Sequence, residues 1–61
     1  MVVQIDDRPG GLAEITRRFR DANINLRSIR ILRRGGGKAF AAIAAERTEE
    51  ARALLKDVLV S

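Results

Sequence analysis

Three residues, Pro9-Gly10-Gly11, separate two incompatible periodicities. Before them Val2 to Asp6 (VVQID) is short and β-branched and reads as a strand. After them Leu12, Ile15, Phe19 and Ala22 recur on one helical face, while Thr16, Arg17, Arg20 and Asp21 fall away from it. The spacing predicts an amphipathic helix over 11–22, about three turns long. Asn23 tolerates the left-handed cap position and is the expected stop. The chain must therefore pass from strand to helix within a few residues. Pro9 fixes its own φ and biases Arg8 away from helix. Gly10 and Gly11 permit backbone approaches that a Cβ would block. Such a corner is either a tight structural turn or a seat for a small anion at a helix start.

The remainder of the chain continues the alternation of elements. In residues 24–33 (INLRSIRILR), Ile24 and Leu26 are in phase with each other, as are Ile29 and Ile31, but the two pairs are out of phase. A bulge near Arg27-Ser28 reconciles them in one strand. Residues 34–37 (RGGG) read as a hairpin turn, since glycine supplies positive φ. Residues 38–45 (KAFAAIAA) follow as a strand paired with 26–33, although alanine alone would favour a helix. That strand has no polar residue on either face after Lys38, so it is expected to be covered on both sides. Thr48 is the expected N-cap of a second helix, with Glu49 and Glu50 in its first turn and Ala51, Leu54, Leu55 and Val58 as its stripe. Residues 58–61 (VLVS) start like a strand. The order predicts one domain over residues 1–61, of the α+β class. Its expected form is a ferredoxin-like βαββαβ sandwich, a four-stranded antiparallel sheet with two helices on one face and a short last strand.

Composition narrows the chemistry. With 61 residues, only about 60% of the unfolded surface can be buried, so a further source of stability is expected. Cysteine and histidine are both absent. No disulfide, Cys or His nucleophile or His-based general acid can operate, and the commonest zinc ligand is missing. Asp6 and Asp7 are adjacent on an extended segment and should face opposite ways, a poor acid/base pair. No catalytic residue, metal site or cofactor is expected, and the function class is binding rather than catalysis. Oligomerisation is the remaining staple, most simply a two-fold dimer. The lack of cysteine fits a cytoplasmic protein. No apolar run approaches the roughly 20 residues that span a membrane, and Met1-Val2-Val3 runs straight into polar residues, unlike a signal peptide.

Asp7-Arg8-Pro9-Gly10-Gly11-Leu12, the helix carrying Ile15 and Phe19, and then Ala22-Asn23-Ile24-Asn25-Leu26 together resemble the ACT domain. The resemblance covers nearly the whole chain apart from a short C-terminus. It implies a βαββαβ fold that binds small molecules, usually amino acids, and regulates enzymes or transcription. It also implies association through sheet edges or faces, with ligands at the interface between two domains. Carried over residue by residue, the family's pocket falls on Asp7, Pro9 and Gly10 in the first loop and on Asn25 of the second strand. General chemistry supports the place. Backbone N–H groups at a helix start favour a carboxylate, and Gly10 and Gly11 let that backbone come close. Asp7 can accept from an α-ammonium group, and Asn25 can both donate and accept.

The reading is an amino-acid-binding regulatory module that oligomerises and acts on a catalytic or DNA-binding partner, on the same polypeptide or another. Two alternatives stand beside it. One is a purely structural dimerisation domain. The other is an RNA-binding domain of RRM type, because residues 38–43 (KAFAAI) echo the RNP1 strand through Lys38, Phe40, Ala41 and Ile43. Ala42 and Ala45 occupy positions where aromatics are expected, so stacking would rest on Phe40 alone. Net charge is +4, with eight basic residues between Arg17 and Lys38 against the single acid Asp21. That asymmetry predicts weak, non-specific binding to polyanions such as nucleic acid.

Overall fold

The computed structural model describes all 61 residues. Strand β1 (Val2–Asp6) leads into helix α1 (Pro9–Asp21), followed by the β2 (Leu26–Gly35) and β3 (Lys38–Ala45) hairpin and helix α2 (Thr48–Leu54). The sheet has the order β1-β3-β2 and both pairings are antiparallel.

Helix α1 begins two residues earlier than the spacing of its apolar residues predicts, at Pro9. The first helical position is where proline fits best, since its missing N–H is an orphan there anyway. Arg8 is correspondingly extended, at φ −153° and ψ 158°. The other end follows expectation. Asn23 adopts φ 57°, its N–H donates to the Arg20 carbonyl, and the Ile24 N–H donates to the Phe19 carbonyl. This is a Schellman closure, and its apolar pair Phe19 and Ile24 is buried.

Strand β2 carries the expected bulge between Leu26 and Ser28, and a second between Ile31 and Arg33. The hairpin turn is tighter than the four residues 34–37. Gly35 still pairs with Lys38, and only Gly36 (φ 60°) and Gly37 (φ 78°) make the two-residue corner. Arg47, not Thr48, is the N-cap of α2. It takes a left-handed conformation at φ 52°, and no side chain caps the helix. The Arg47 guanidinium instead donates to the Asn23 carbonyl, which ties the two helix corners together.

The sheet has three strands, not four. The last segment touches β1 through one bridge, Val3 with Leu59, reinforced by hydrogen bonds from Gln4 N–H to the Val58 carbonyl (2.9 Å) and from Val60 N–H to the Val2 carbonyl (2.8 Å). Helix α2 ends at Leu54 and a turn occupies 55–58, so contact with β1 starts only at Val58 and Leu59.

Ten residues are buried, all apolar, in one cluster. Ile15 and Phe19 of α1 and Ala51 of α2 join Val3, Ile5 and the Ala39, Ala41, Ile43 row of β3, which puts both helices on one face of the sheet. The opposite row of β3 is not covered within the chain. Phe40 and Ala42 are half-buried and Ala44 is exposed.

Candidate functional site

The Pro-Gly-Gly corner holds two glycines with different duties. A Cβ on Gly11 would overlap the Asp6 carbonyl oxygen and stand 3.2 Å from its carbon, so Gly11 is what lets α1 lie against the end of β1. A Cβ on Gly10 would meet only the end of the Arg8 side chain, at 3.3 Å. Their amides differ as well. The Gly11 N–H donates to the Arg8 carbonyl at 2.9 Å, within the first turn. The Gly10 N–H has no acceptor in the chain and points from the positive end of the helix. Of the two amides expected to meet a carboxylate, the free one is that of Gly10.

Gly10 and Gly11 line a groove of about 380 Å³ between the start of α1, the outer edge of β1 and residues 57–60. Its rim carries both signs of charge. Asp6, Glu14 and Asp57 stand with Arg8 and Lys38. Asp6 accepts from Lys38 Nζ at 2.6 Å and from Arg8 Nε at 3.4 Å. The Lys38 hydrogen bond and charge, and to a smaller extent Arg8, hold the Asp6 carboxyl below its ordinary value. Asp57 is held low by Arg18, whose Nη1 and Nη2 grip its two oxygens at 2.6 and 2.9 Å. Arg18 also reaches Glu14 (3.1 Å) and the Leu54 carbonyl (3.3 Å), and thereby straps the C-terminal segment to α1.

The other residues expected at the site lie elsewhere. Asp7 and Pro9 line a separate hollow of about 310 Å³ with Leu12, Ile31 and Arg34. There the Asp7 carboxylate pairs with Arg34 Nε at 3.3 Å, and the Asp7 N–H donates to the Gly37 carbonyl at 2.9 Å. Asp7 thus fastens the hairpin tip to the corner. Asn25 is exposed just beyond the opposite end of α1, in a hollow with Arg20, Asn23 and Glu46. A helix of 13 residues separates the two places, about 20 Å of rise. One chain therefore brings Gly10 and Gly11 together, sets Asp7 and Pro9 on the other side of the corner, and leaves Asn25 remote.

Asp6, Arg8 and Lys38 belong to the groove and were not among the expected site residues. A signal for them exists. Asp6 and Lys38 close the β1–β3 ladder as directly opposed residues, which follows once the strand order is known.

A family model for the ACT domain matches residues 1–59. Comparison with curated proteins and with solved structures gave no match. The matched span takes in both helices, all three strands and the corner with its groove except Val60, and on that basis the chain belongs to the ACT domain family, a family of regulatory ligand-binding modules.

Proposed function

We propose that the chain is an amino-acid-binding regulatory module that works as a homo-oligomer, with each ligand held between two copies. The observation that carries this reading is the free Gly10 amide at the head of a groove bearing both signs of charge. A zwitterion needs both. Its carboxylate is received by the Gly10 N–H and the Arg8 guanidinium. Its ammonium is received by Asp6, which lines the groove together with Gly10, whereas Asp7 lines the separate hollow on the other side of the corner. Pro9 keeps the corner rigid, so little ordering entropy is lost on binding. Asn25 lies too far from Gly10 to serve the same ligand within one chain, so a second copy supplies it.

Two features support association. Strand β2 is an edge of ten residues with an open row of backbone groups, and Leu32 at its second bulge is 50% exposed. The core of ten side chains, three of them alanine and only Phe19 aromatic, leaves stability to be gained by burial against another copy. The ligand's effect is then read out by a catalytic or DNA-binding partner.

A thermal-shift screen of the twenty amino acids tests the reading, because a ligand bound only to the folded state raises the melting temperature. Calorimetry with the best of them on wild type and Asn25→Ala follows. The variant is expected to lose roughly 0.5 to 3 kcal/mol of binding, the range for one hydrogen bond. Equal affinities would remove Asn25 from the site. A screen with no shift would leave the corner a structural turn. Sedimentation equilibrium at micromolar concentration tests the assembly, and a folded 6.7 kDa monomer would overturn it.

A further inference from the structure

The basic residues of the middle segment do not form one patch. Arg17 pairs with Glu14, Arg18 with Glu14 and Asp57, and Arg20 with Asp21. Arg27 meets Glu46, Arg34 meets Asp7 and Lys38 meets Asp6. Arg30 and Arg33 are the two between residues 17 and 38 with no acidic partner. In the β2–β3 register Arg30 stands opposite Ala42 and Arg33 opposite Phe40. Directly opposed residues share a face, so both guanidiniums leave the sheet on the side the helices do not cover.

That face has a definite texture. The Arg33 guanidinium lies over the half-buried Phe40 ring, 5.3 Å from its centroid. Beside it, residues 28–30 and 42–44 border a hollow of about 380 Å³, where Ala42 and Ala44 offer only methyl groups. A phenyl ring and a guanidinium are both groups on which a nucleobase stacks.

We propose that this open sheet face binds single-stranded nucleic acid. One base lies on the Arg33–Phe40 pair, the next enters the alanine hollow, and Arg30 meets the phosphate between them. A second copy of the chain fits this face poorly, because packing the face against itself gathers four unpaired guanidiniums, Arg30 and Arg33 of each copy, into one interface. An acidic peptide satisfies the two guanidiniums but gives the ring and the hollow no flat occupant. Binding is weak and salt-dependent. Arg30 neutralises the phosphate between the two bases and Arg33, from beneath its stacked base, the phosphate that flanks it. Two neutralised phosphates give a slope of about −1.4 in log affinity against log salt, or roughly a sevenfold loss between about 50 and 200 mM.

The test is fluorescence anisotropy of a labelled oligouridine with the full chain. The comparators are an abasic strand of equal charge, polyglutamate as competitor, and the variants Phe40→Leu, Arg33→Gln and Arg17→Gln. Oligouridine is expected to bind at least about fivefold tighter than the abasic strand, and Phe40→Leu to lose at least about fivefold. Arg33→Gln should lower both affinity and salt slope, and Arg17→Gln, on α1, should change neither. Arg33→Gln decides the matter if Phe40→Leu does not fold. Absence of binding at low salt would overturn the proposal. So would equal binding of the abasic strand, equal competition by polyglutamate, or an Arg17→Gln effect as large as that of Arg33→Gln.

Discussion

Substituting the two adjacent glycines of the corner should move stability in opposite directions. In Gly11→Ala the new methyl overlaps the Asp6 carbonyl oxygen, a backbone atom that cannot swing aside. Relief requires α1 to move off β1, and overpacking of this kind costs typically 1–3 kcal/mol. Alanine's better helix propensity offsets at most about 1 kcal/mol, and less in a first turn. The net expectation is a loss of about 1–2 kcal/mol, or roughly 4–16 °C in melting temperature for a domain of this size. In Gly10→Ala the methyl meets only the mobile end of Arg8, and the backbone is helical there. Reduced freedom of the unfolded chain should then stabilise by about 0.4–1 kcal/mol. Urea denaturation at a single protein concentration measures both, with the m-value as the check that only stability changed. The methyl at Gly10 also intrudes on the groove, so this variant should be more stable yet bind an amino acid less well. A Gly11→Ala protein as stable as Gly10→Ala would refute the packing argument. It would mean that α1 is not held against β1 by that contact.

Arg18→Met should cost about 1 kcal/mol, since its bonds to Asp57 are charge-assisted but partly exposed. Hydrogen exchange should show the loss first at the Gln4 and Val60 amides, which tie the C-terminal segment to β1. Acid should act through Asp6 and Asp57. Both folded-state values lie below the ordinary 3.8, so their contribution is complete above that value and is lost as pH falls through the lowered ones. Urea midpoints measured between about pH 5 and pH 2 should fall mainly below 3.8, and less steeply in Asp57→Asn. Asn23→Ala should cost about 1 kcal/mol because Asn23 sits at φ 57°, whereas Asn23→Gly should be close to neutral by the same denaturation assay.

Elements whose formation depends on local chemistry were readable in the sequence. Asn23 as a left-handed stop, the bulge at Arg27-Ser28 and the glycine hairpin corner all follow from the residues themselves. Features set by distant partners were not. The second bulge, after Ile31, breaks no apolar phase that the sequence displays. Arg47 stands as N-cap where Thr48 was expected, and its guanidinium donates to the Asn23 carbonyl, 24 positions away in the chain. In place of a fourth strand there is one bridge to β1, because residues 55–58, whose apolar stripe reads as a continuation of α2, form a turn. At the corner, the need for a bare backbone was legible, but its cause at Gly11 is the chain's own Asp6 carbonyl. The ion pairs that draw Asp6 and Lys38 into the groove, and Asp7 away from it, depend on strand order and could not be seen before it.

The central strand is written in residues that do not favour strands. Five of the eight residues of β3 are alanine, which ranks first among helix formers and is depleted in sheets. Only Phe40, Ile43 and the glycine corner before them locally favour an extended form over Lys38–Ala45. That form is imposed from outside, by ladders to β1 on one side and β2 on the other. A fragment holding β3 with only one neighbour lacks half of what keeps it extended. A single cooperative unfolding transition is therefore expected, because neither ladder alone holds the middle strand extended.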